Sequence, residues 1–197
     1  MGALEVRRPA LPEISRENVM RYLGVKSEYD GFGELYERAV SLISGRLSGS
    51  VVYRVFDCTV EGDTVKTESF TVSSKSLAMR LRDCDRVIIA AATVGREVDI
   101  IMAKYMHSEP SIALAVGAVG TERIEAVMDS LEREISEKFG KLAPRFSPGY
   151  GDLPLDFQRS VFSILTPEKY IGLTLNGSML MTPSKSVSAV IGIKKTV

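Results

Sequence analysis

The sequence has few of the residues on which metal centres and nucleophilic active sites are commonly built. Its 197 residues include two cysteines, Cys58 and Cys84, a single histidine, His107, and no tryptophan. A zinc site needs several histidine or cysteine ligands, and a serine–histidine–aspartate triad would depend on that one histidine. His107 lies near the end of a predicted helix, where a histidine commonly faces the helix dipole. We therefore predict neither a metal site nor a catalytic residue in this chain.

An excess of one charge and long hydrophobic runs are lacking as well. Lysine and arginine total 25, as do aspartate and glutamate, so no overall field attracts nucleic acid or an acidic membrane. No apolar run reaches the roughly 18 residues that span a bilayer, and the N-terminus has no signal-peptide-like apolar stretch. Two cysteines far apart in sequence do not suggest a structural disulfide. We expect a cytoplasmic protein that binds neither nucleic acid nor membrane.

Length and composition are those of a globular protein, since hydrophobic residues make up 45% of the chain. We predict one domain over residues 1–197, with an N-terminal helical part (1–50) and an α+β core (51–197). Hydrophobic periodicity predicts helices over residues 15–24, 30–47, 74–81, 95–106, 108–141 and 155–165, a helical turn from 166, and strands over residues 4–7, 51–56, 65–72, 86–93, 173–181 and 187–193. This order predicts an α+β fold with a mixed, largely antiparallel sheet and packed helices.

Two of these elements have distinctive patterns. Residues 86–93 are almost continuously apolar, which is typical of a central strand covered on both faces. Residues 108–141 predict the longest helix, with Ser108 as its N-cap. The first half of that helix is apolar on all sides, so it should be buried, and its glycines should allow neighbouring elements to approach closely.

The segment Arg145–Asp152, called the ligand loop below, has the sequence RFSPGYGD. Pro148 followed by Gly149 favours a type II turn, in which Gly149 takes a positive φ. A guanidinium, exposed backbone groups and the flat ring of Tyr150 together suit a small zwitterionic ligand with an aromatic base. Arg145 would bind a carboxylate and Tyr150 would stack on the base. The alternative interpretation is an ordinary surface loop after a helix.

Glu125 lies where the long helix changes from fully apolar to amphipathic. It is either a carboxylate in water or a carboxylate at the edge of a cleft, where it could accept hydrogen bonds from a ligand amine or hydroxyl. Between a predicted strand and helix, Thr93-Val94-Gly95 lacks the glycine spacing of the known nucleotide-binding loops. We therefore do not assign it a nucleotide.

Three segments resemble the C-terminal activation domain of cobalamin-dependent methionine synthase. Residues 145–150 are similar to that family's Arg-Pro-Ala-Pro-Gly-Tyr loop. Residues 175–183 and the following Ser-Val-Ser at 186–188 are similar to its Leu-Thr-Glu-Ser-Phe-Ala-Met-Trp-Pro stretch and its Ser-Val-Ser. The third segment is the helix carrying Arg-Ile-Glu-Ala at 123–126. The resemblance covers roughly residues 110 to 193, and its loop and Ser-Val-Ser motif are the specific parts.

The resemblance implies a function. In that family the domain binds S-adenosylmethionine beside the corrin, and reductive methylation with an electron from flavodoxin or an equivalent restores methylcobalamin. Carried over to this sequence, Arg145 would hold the methionyl carboxylate, Tyr150 would lie against the nucleoside, the backbone of Ser147 would contact adenine, and Glu125 would be a polar anchor. Gly149 belongs to the same turn. Cobalamin would be carried by a partner, a methionine synthase or another corrinoid protein, because this chain has no segment for it.

The sequence also departs from the family pattern. After Tyr150 the family continues with Pro-Ala-Cys-Pro and then Asp-His, whereas this chain has Gly-Asp-Leu-Pro-Leu-Asp, and Thr182 replaces a tryptophan. Three hypotheses therefore stay open: a free-standing reactivation subunit for a methionine synthase that lacks this domain, a corrinoid-protein interaction module with a degraded ligand site, and a reactivator of another corrinoid methyltransferase.

Overall fold

A four-stranded antiparallel sheet is the centre of the computed structural model, which describes residues 2–27, 29 and 31–195. Along the chain the elements are β1 (Glu5–Arg7), α1 (Arg16–Leu23), α2 (Phe32–Ile43), β2 (Ser50–Asp57), β3 (Thr59–Glu61), β4 (Thr64–Lys66), β5 (Thr71–Ser73), α3 (Lys75–Leu81), β6 (Cys84–Thr93), α4 (Glu97–Tyr105), α5 (Pro110–Phe139), α6 (Phe157–Leu165), α7 (Pro167–Ile171), β7 (Thr174–Leu175), β8 (Met181–Thr182) and β9 (Ser186–Lys194). The predicted α+β class is confirmed.

The central sheet has the strand order β1–β2–β6–β9. Every neighbouring pair is antiparallel, and β6 lies between β2 and β9 with both faces buried over residues 87–93, as its apolar sequence predicts. β1, within the predicted strand over residues 4–7, forms one edge of the sheet. At the other edge, residues 142–146 run beside β9, with bridges from Leu142 to Ile193 and from Phe146 to Val190. This edge places the start of the ligand loop directly against β9.

The first face of the sheet is covered by α1, α2, α4 and α5. The apolar first half of α5 is buried here from Ile112 to Gly120 except at Leu114, which is 60% exposed, so the predicted burial on all sides holds only in part; α4 packs closely on this half. A Cβ added to Gly120 of α5 would lie 2.8 Å from Cγ1 of Val98 in α4 and 3.0 Å from Cγ of Lys185. These distances are shorter than normal carbon contacts, so a side chain at this position would push α4 and residue 185 away from α5.

The second face is covered by α3, α6, α7 and a small antiparallel sheet in the order β3–β4–β5. Its core contains Phe56, Phe70 and Phe157, with the ring of Phe70 edge-on to the other two. The molecule therefore has three layers, and the ligand loop lies at the margin of the second face. Among the described residues, no helix combines the length and the apolar character needed to cross a membrane.

Two predicted strands are wrong, for the same reason. The prediction of one strand over residues 65–72 fails because Thr67 turns the chain: its Oγ1 accepts from the N–H groups of Ser69 and Phe70. The prediction over residues 173–181 fails because Asn176 Oδ1 accepts from the N–H groups of Ser178 and Leu180. In both segments, backbone N–H groups that a strand would direct to a neighbouring strand donate instead to a nearby side-chain oxygen, and the chain forms a local turn.

Other differences concern the ends of elements. The predicted N-cap Ser108 lies outside α5, which begins at Pro110 after Glu109, and no side-chain cap is formed there. The helix predicted from residue 30 begins at Phe32, and Asp30 itself is outside the described residues. Ser15 and Ser74 do cap helices, since each side chain accepts a backbone N–H of the following turn. The division of the chain at residue 50 stays a prediction.

Candidate functional site

The ligand loop adopts the predicted turn. The N–H of Tyr150 donates to the carbonyl of Ser147 at 3.2 Å, and Gly149, at the third position, has a φ of 90°. The N–H of Gly149 donates to the carbonyl of Leu153 at 2.9 Å. Any residue other than glycine would be strained at this φ, so the turn requires glycine at position 149.

Both ends of the ligand loop are held by hydrogen bonds to regular elements. At the first end, the N–H of Phe146 donates to the carbonyl of Val190 at 2.9 Å, and the reverse bond measures 2.8 Å. At the other end, Asp152 binds the start of α3. Its carboxylate accepts from Ser74 Oγ at 2.7 Å, from the N–H of Lys75 at 2.8 Å and from the N–H of Ser76 at 3.0 Å. These contacts fix the loop before any ligand arrives.

The Asp152 anchor should make stability depend on pH. The hydrogen bonds from Ser74 and the backbone of Ser76 hold the pKa of Asp152 well below its ordinary value of 3.8. A carboxyl whose pKa is lowered on folding stabilises the protein fully above its ordinary pKa, and this contribution is lost progressively as the pH falls from the ordinary pKa through the lowered one. We expect the free energy of unfolding of Asp152→Asn to be lower than wild type at about pH 7 and to converge with it in acid.

Urea unfolding at about pH 7 and about pH 3 measures whether the difference between the two proteins has begun to narrow once the pH is below the ordinary pKa. Asp156→Asn is the matched control, because the Asp156 side chain forms no capping hydrogen bond with α6. A constant difference between wild type and Asp152→Asn at both pH values would contradict the anchor.

A cavity of about 610 Å³ opens between the ligand loop, α5 and the start of β9. Its walls are formed by Arg80, Thr121, Ile124, Glu125, Arg145, Phe146, Ser147, Pro148, Tyr150, Gln158, Met181, Ser184, Lys185, Ser186, Val187 and Ser188. The cavity therefore brings together Glu125, Arg145, Ser147 and Tyr150, which the sequence singles out. Gly149 is not in the wall; it shapes the turn that presents its neighbours.

Arg145 is surrounded by three carboxylates of α5. Its Nη2 lies 2.5 Å from Glu125, and its Nη1 lies 2.6 Å from Glu132 and 2.8 Å from Asp129. Burial alone would lower the pKa of Arg145, but the hydrogen bonds to Glu132, Asp129 and Glu125 raise it above its ordinary value. The described contacts leave the Nε–H group for a ligand. Glu125 therefore lies at a cleft edge and pairs with the loop's cation.

The two aromatic residues of the ligand loop have different environments. Phe146 is buried, and the guanidinium of Arg80 lies 4.7 Å from its ring centroid. The side chain of Tyr150 is 66% exposed at the cavity mouth, so most of its ring is free to cover a ligand. Among the described residues, the N–H of Ser147 has no hydrogen-bond partner. It is therefore available to an acceptor on a ligand.

The structure adds Lys185, which the sequence did not single out, to the cavity wall. Its Nζ donates to Thr121 Oγ1 at 2.9 Å, one helical turn before Glu125. Burial lowers the pKa of Lys185, and the nearby charge of Asp99 opposes this effect. Asp99 also fixes the preceding residue, since its Oδ2 accepts from the N–H of Ser184 at 2.9 Å. Lys185 therefore adds a cation to the cavity wall besides Arg145 and Arg80.

Sequence reasoning also missed Gln158 and Ser188 in the cavity wall. Gln158 is 6% exposed and Ser188 is 1% exposed. A signal for Gln158 was present: it precedes Val161, Phe162 and Leu165 by three, four and seven residues, which places a polar residue on the apolar face of α6. Ser188 is the second serine of the Ser-Val-Ser motif. No sequence signal indicated its place in the cavity, because that place depends on the pairing of β9 with β6.

Comparisons with known proteins show a likeness of fold. No protein-family model and no curated protein matches this sequence. Among solved structures, a crystal structure of the MetH reactivation domain bound to AdoHcy superposes with a TM-score of 0.75, over 99% of this chain and 79% of that chain. The chain has the fold of the MetH reactivation domain. The resemblance inferred from three short segments is thereby confirmed, and with 14% identity it is the fold that the likeness shows.

Proposed function

We propose that this chain binds S-adenosylmethionine in the cavity and acts as a reactivation subunit for a separate cobalamin-dependent methionine synthase. The observation that carries the proposal is the convergence of Glu125, Arg145, Ser147 and Tyr150 on one cavity. This convergence occurs in a chain with the fold of the MetH reactivation domain, which has been solved with AdoHcy bound. Each of these groups suits one part of such a ligand.

The chemistry of the cavity fits an amino acid joined to a nucleoside. Its volume of about 610 Å³ lies within the range of small-molecule sites, roughly 300–1,000 Å³. Arg145 would bind the carboxylate, the exposed ring of Tyr150 would cover the base, and the N–H of Ser147 would donate to a ring nitrogen. Glu125 would accept a hydrogen bond from the ligand amine. Gln158 Oε1 and Ser188 Oγ, which are buried in the cavity wall without hydrogen-bond partners among the described residues, also favour a polar ligand over an apolar one.

The bound ligand would supply the methyl group, and the protein would supply its orientation. The ligand loop is already fixed by Asp152 and by β9, so little order would be lost when a ligand binds. Holding the methyl donor in one geometry is the contribution we expect from this chain, in which the sequence predicts no catalytic residue. The cobalamin would belong to the partner, and a flavodoxin-like or other donor would supply the electron.

Reconstitution tests the reactivation role. A methionine synthase whose own reactivation domain has been removed would be prepared as cob(II)alamin and mixed with this chain, S-adenosylmethionine and a chemical reductant. We expect the cob(II)alamin absorbance to give way to that of methylcobalamin only when this chain is present. Conversion at the same rate without the chain, or no conversion although the chain binds the ligand, would contradict the role with this partner.

A second candidate function is a corrinoid-protein interaction module with an inactive ligand site. The observation that favours it is the environment of Arg145, whose guanidinium already contacts three carboxylates. A ligand carboxylate would have to approach this acidic cluster, which opposes binding. This candidate predicts that the chain binds a corrinoid protein but does not bind S-adenosylhomocysteine, alone or in that complex.

Substitution of Tyr150 tests the aromatic contact. Tyr150→Ala should lower the affinity for S-adenosylhomocysteine about fivefold, because an aromatic contact contributes about 1 kcal/mol. Tyr150→Phe should bind like wild type, since it keeps the ring. Tyr29→Ala is the matched control at a tyrosine that is 52% exposed and outside the cavity wall. Calorimetric titration measures all three, and equal affinity of Tyr150→Ala and wild type would remove the ring from the site.

A further inference from the structure

The wall of the cavity contains two buried polar atoms that none of the described residues satisfies. Within the described part of the chain, Gln158 Oε1 and Ser188 Oγ have no hydrogen-bond partner. Both side chains are more than nine-tenths buried, and both line the cavity. Buried polar atoms are nearly always paired, since leaving one without a partner is costly. Two such atoms in the wall of one cavity indicate that a polar ligand completes them.

The fold explains why both residues reach the same place. Ser188 of β9 pairs with Ala91 of β6, and Ala91 belongs to the core under the second face of the sheet. Gln158 is on α6, which covers that face, and its neighbours Phe157 and Val161 belong to the same core. Gln158 and Ser188 therefore lie where the apolar layer between α6 and the sheet meets the cavity. The apolar surroundings strengthen any hydrogen bond that a ligand makes there.

We propose that Gln158 is a specificity-determining residue, whose Oε1 accepts a hydrogen bond from the exocyclic amino group of the ligand's adenine. This inference rests on the proposed function. An adenine base presents an amino donor beside a ring nitrogen acceptor, and a glutamine amide presents the complementary acceptor and donor. Phe146 supplies an apolar part of the same cavity wall, and the hydroxyl of Ser188 adds a donor to it. Gln158 would thus select adenine by its edge, while Tyr150 contacts its face.

A pair of ligands tests this assignment directly. One is S-adenosylhomocysteine, and the other is the same molecule with hydrogen in place of the adenine amino group. The wild-type chain should bind the first on the order of tenfold more tightly, because the second leaves Oε1 unpaired. Gln158→Leu should bind the two ligands equally. Gln158→Glu, which keeps an acceptor, should retain the preference, and Ser163→Ala, at an exposed position of α6, should behave as wild type.

Calorimetric titration of each variant with both ligands gives the ratios, and thermal unfolding checks that each variant is folded. Equal binding of the two ligands to the wild-type chain would overturn the role of Gln158 and leave the proposed function intact. A preference that survives in folded Gln158→Leu would overturn it as well. If the wild-type chain bound neither ligand, the proposed function would fail, and the inference would fail with it.

Discussion

Arg145→Ala should lower the affinity for S-adenosylmethionine by about 30-fold or more, which corresponds to on the order of 2 kcal/mol. Two effects add in the same direction. The substitution removes a charge-assisted contact to the ligand carboxylate. It also leaves Glu125, Asp129 and Glu132 without the cation that they share, so the acidic cluster would repel the carboxylate. Calorimetric titration with S-adenosylmethionine or S-adenosylhomocysteine measures the loss.

Two further variants separate charge from geometry at this position. Arg145→Lys keeps the positive charge but loses the planar fork that can contact several carboxylates at once, so its affinity should lie between those of wild type and Arg145→Ala. Arg46→Ala removes an exposed arginine outside the cavity wall and should bind like wild type. Unchanged affinity in a folded Arg145→Ala variant would take Arg145 out of the ligand site.

Glu122→Ala should lower the free energy of unfolding by about 3–5 kcal/mol, the cost of leaving a buried charge without its partner. The side chains of Glu122 and Arg123 are only 4% and 7% exposed, and Arg123 Nε lies 2.5 Å from Glu122 Oε2. Arg123 also donates to the carbonyls of Pro12 and Glu13. Glu122 further accepts from the N–H of Ser15. The pair therefore attaches the N-terminal segment to α5.

Urea unfolding at neutral pH measures this effect. Glu137→Ala is the matched control, because it is the same substitution at an exposed position of the same helix and should change stability by less than about 0.5 kcal/mol. Removal of both Glu122 and Arg123 should cost less than the sum of the single substitutions, since the double variant has no unpaired charge. A loss below about 1 kcal/mol for Glu122→Ala would show that the pair is not structurally important.

Parts of the fold were predictable because the signal was local and strong. The continuous apolar run of β6 and the all-round apolar start of α5 indicate burial wherever they lie in the fold, so the central strand and the central helix were both predicted. The two failed strands, over residues 65–72 and 173–181, show the limit of periodicity. The alternation of polar and apolar residues reports only which side chains face the core. It does not show that the side chains of Thr67 and Asn176 accept hydrogen bonds from the backbone N–H groups of residues that follow them, which ends the strand.

The candidate site divides in the same way. The ligand loop was predictable because its cation, turn and ring are contiguous in sequence. Gln158 and Ser188 come from different elements and meet only because β9 pairs with β6 under α6. The buried pair of Glu122 and Arg123 was missed because adjacent charges on an amphipathic helix normally face water. The burial of this pair depends on residues 12–15, which contact α5 although they are at least 107 residues away in sequence.

Titration of the purified wild-type chain with S-adenosylhomocysteine, beside ATP as a nucleotide of different charge, tests the central claim most directly. We expect saturable binding of S-adenosylhomocysteine to one site per chain, and weaker binding of ATP, because the ATP phosphates would meet the acidic cluster around Arg145. Equal binding of both ligands, or no saturable binding of S-adenosylhomocysteine up to millimolar concentration, would contradict the claim that this cavity is a site for S-adenosyl ligands.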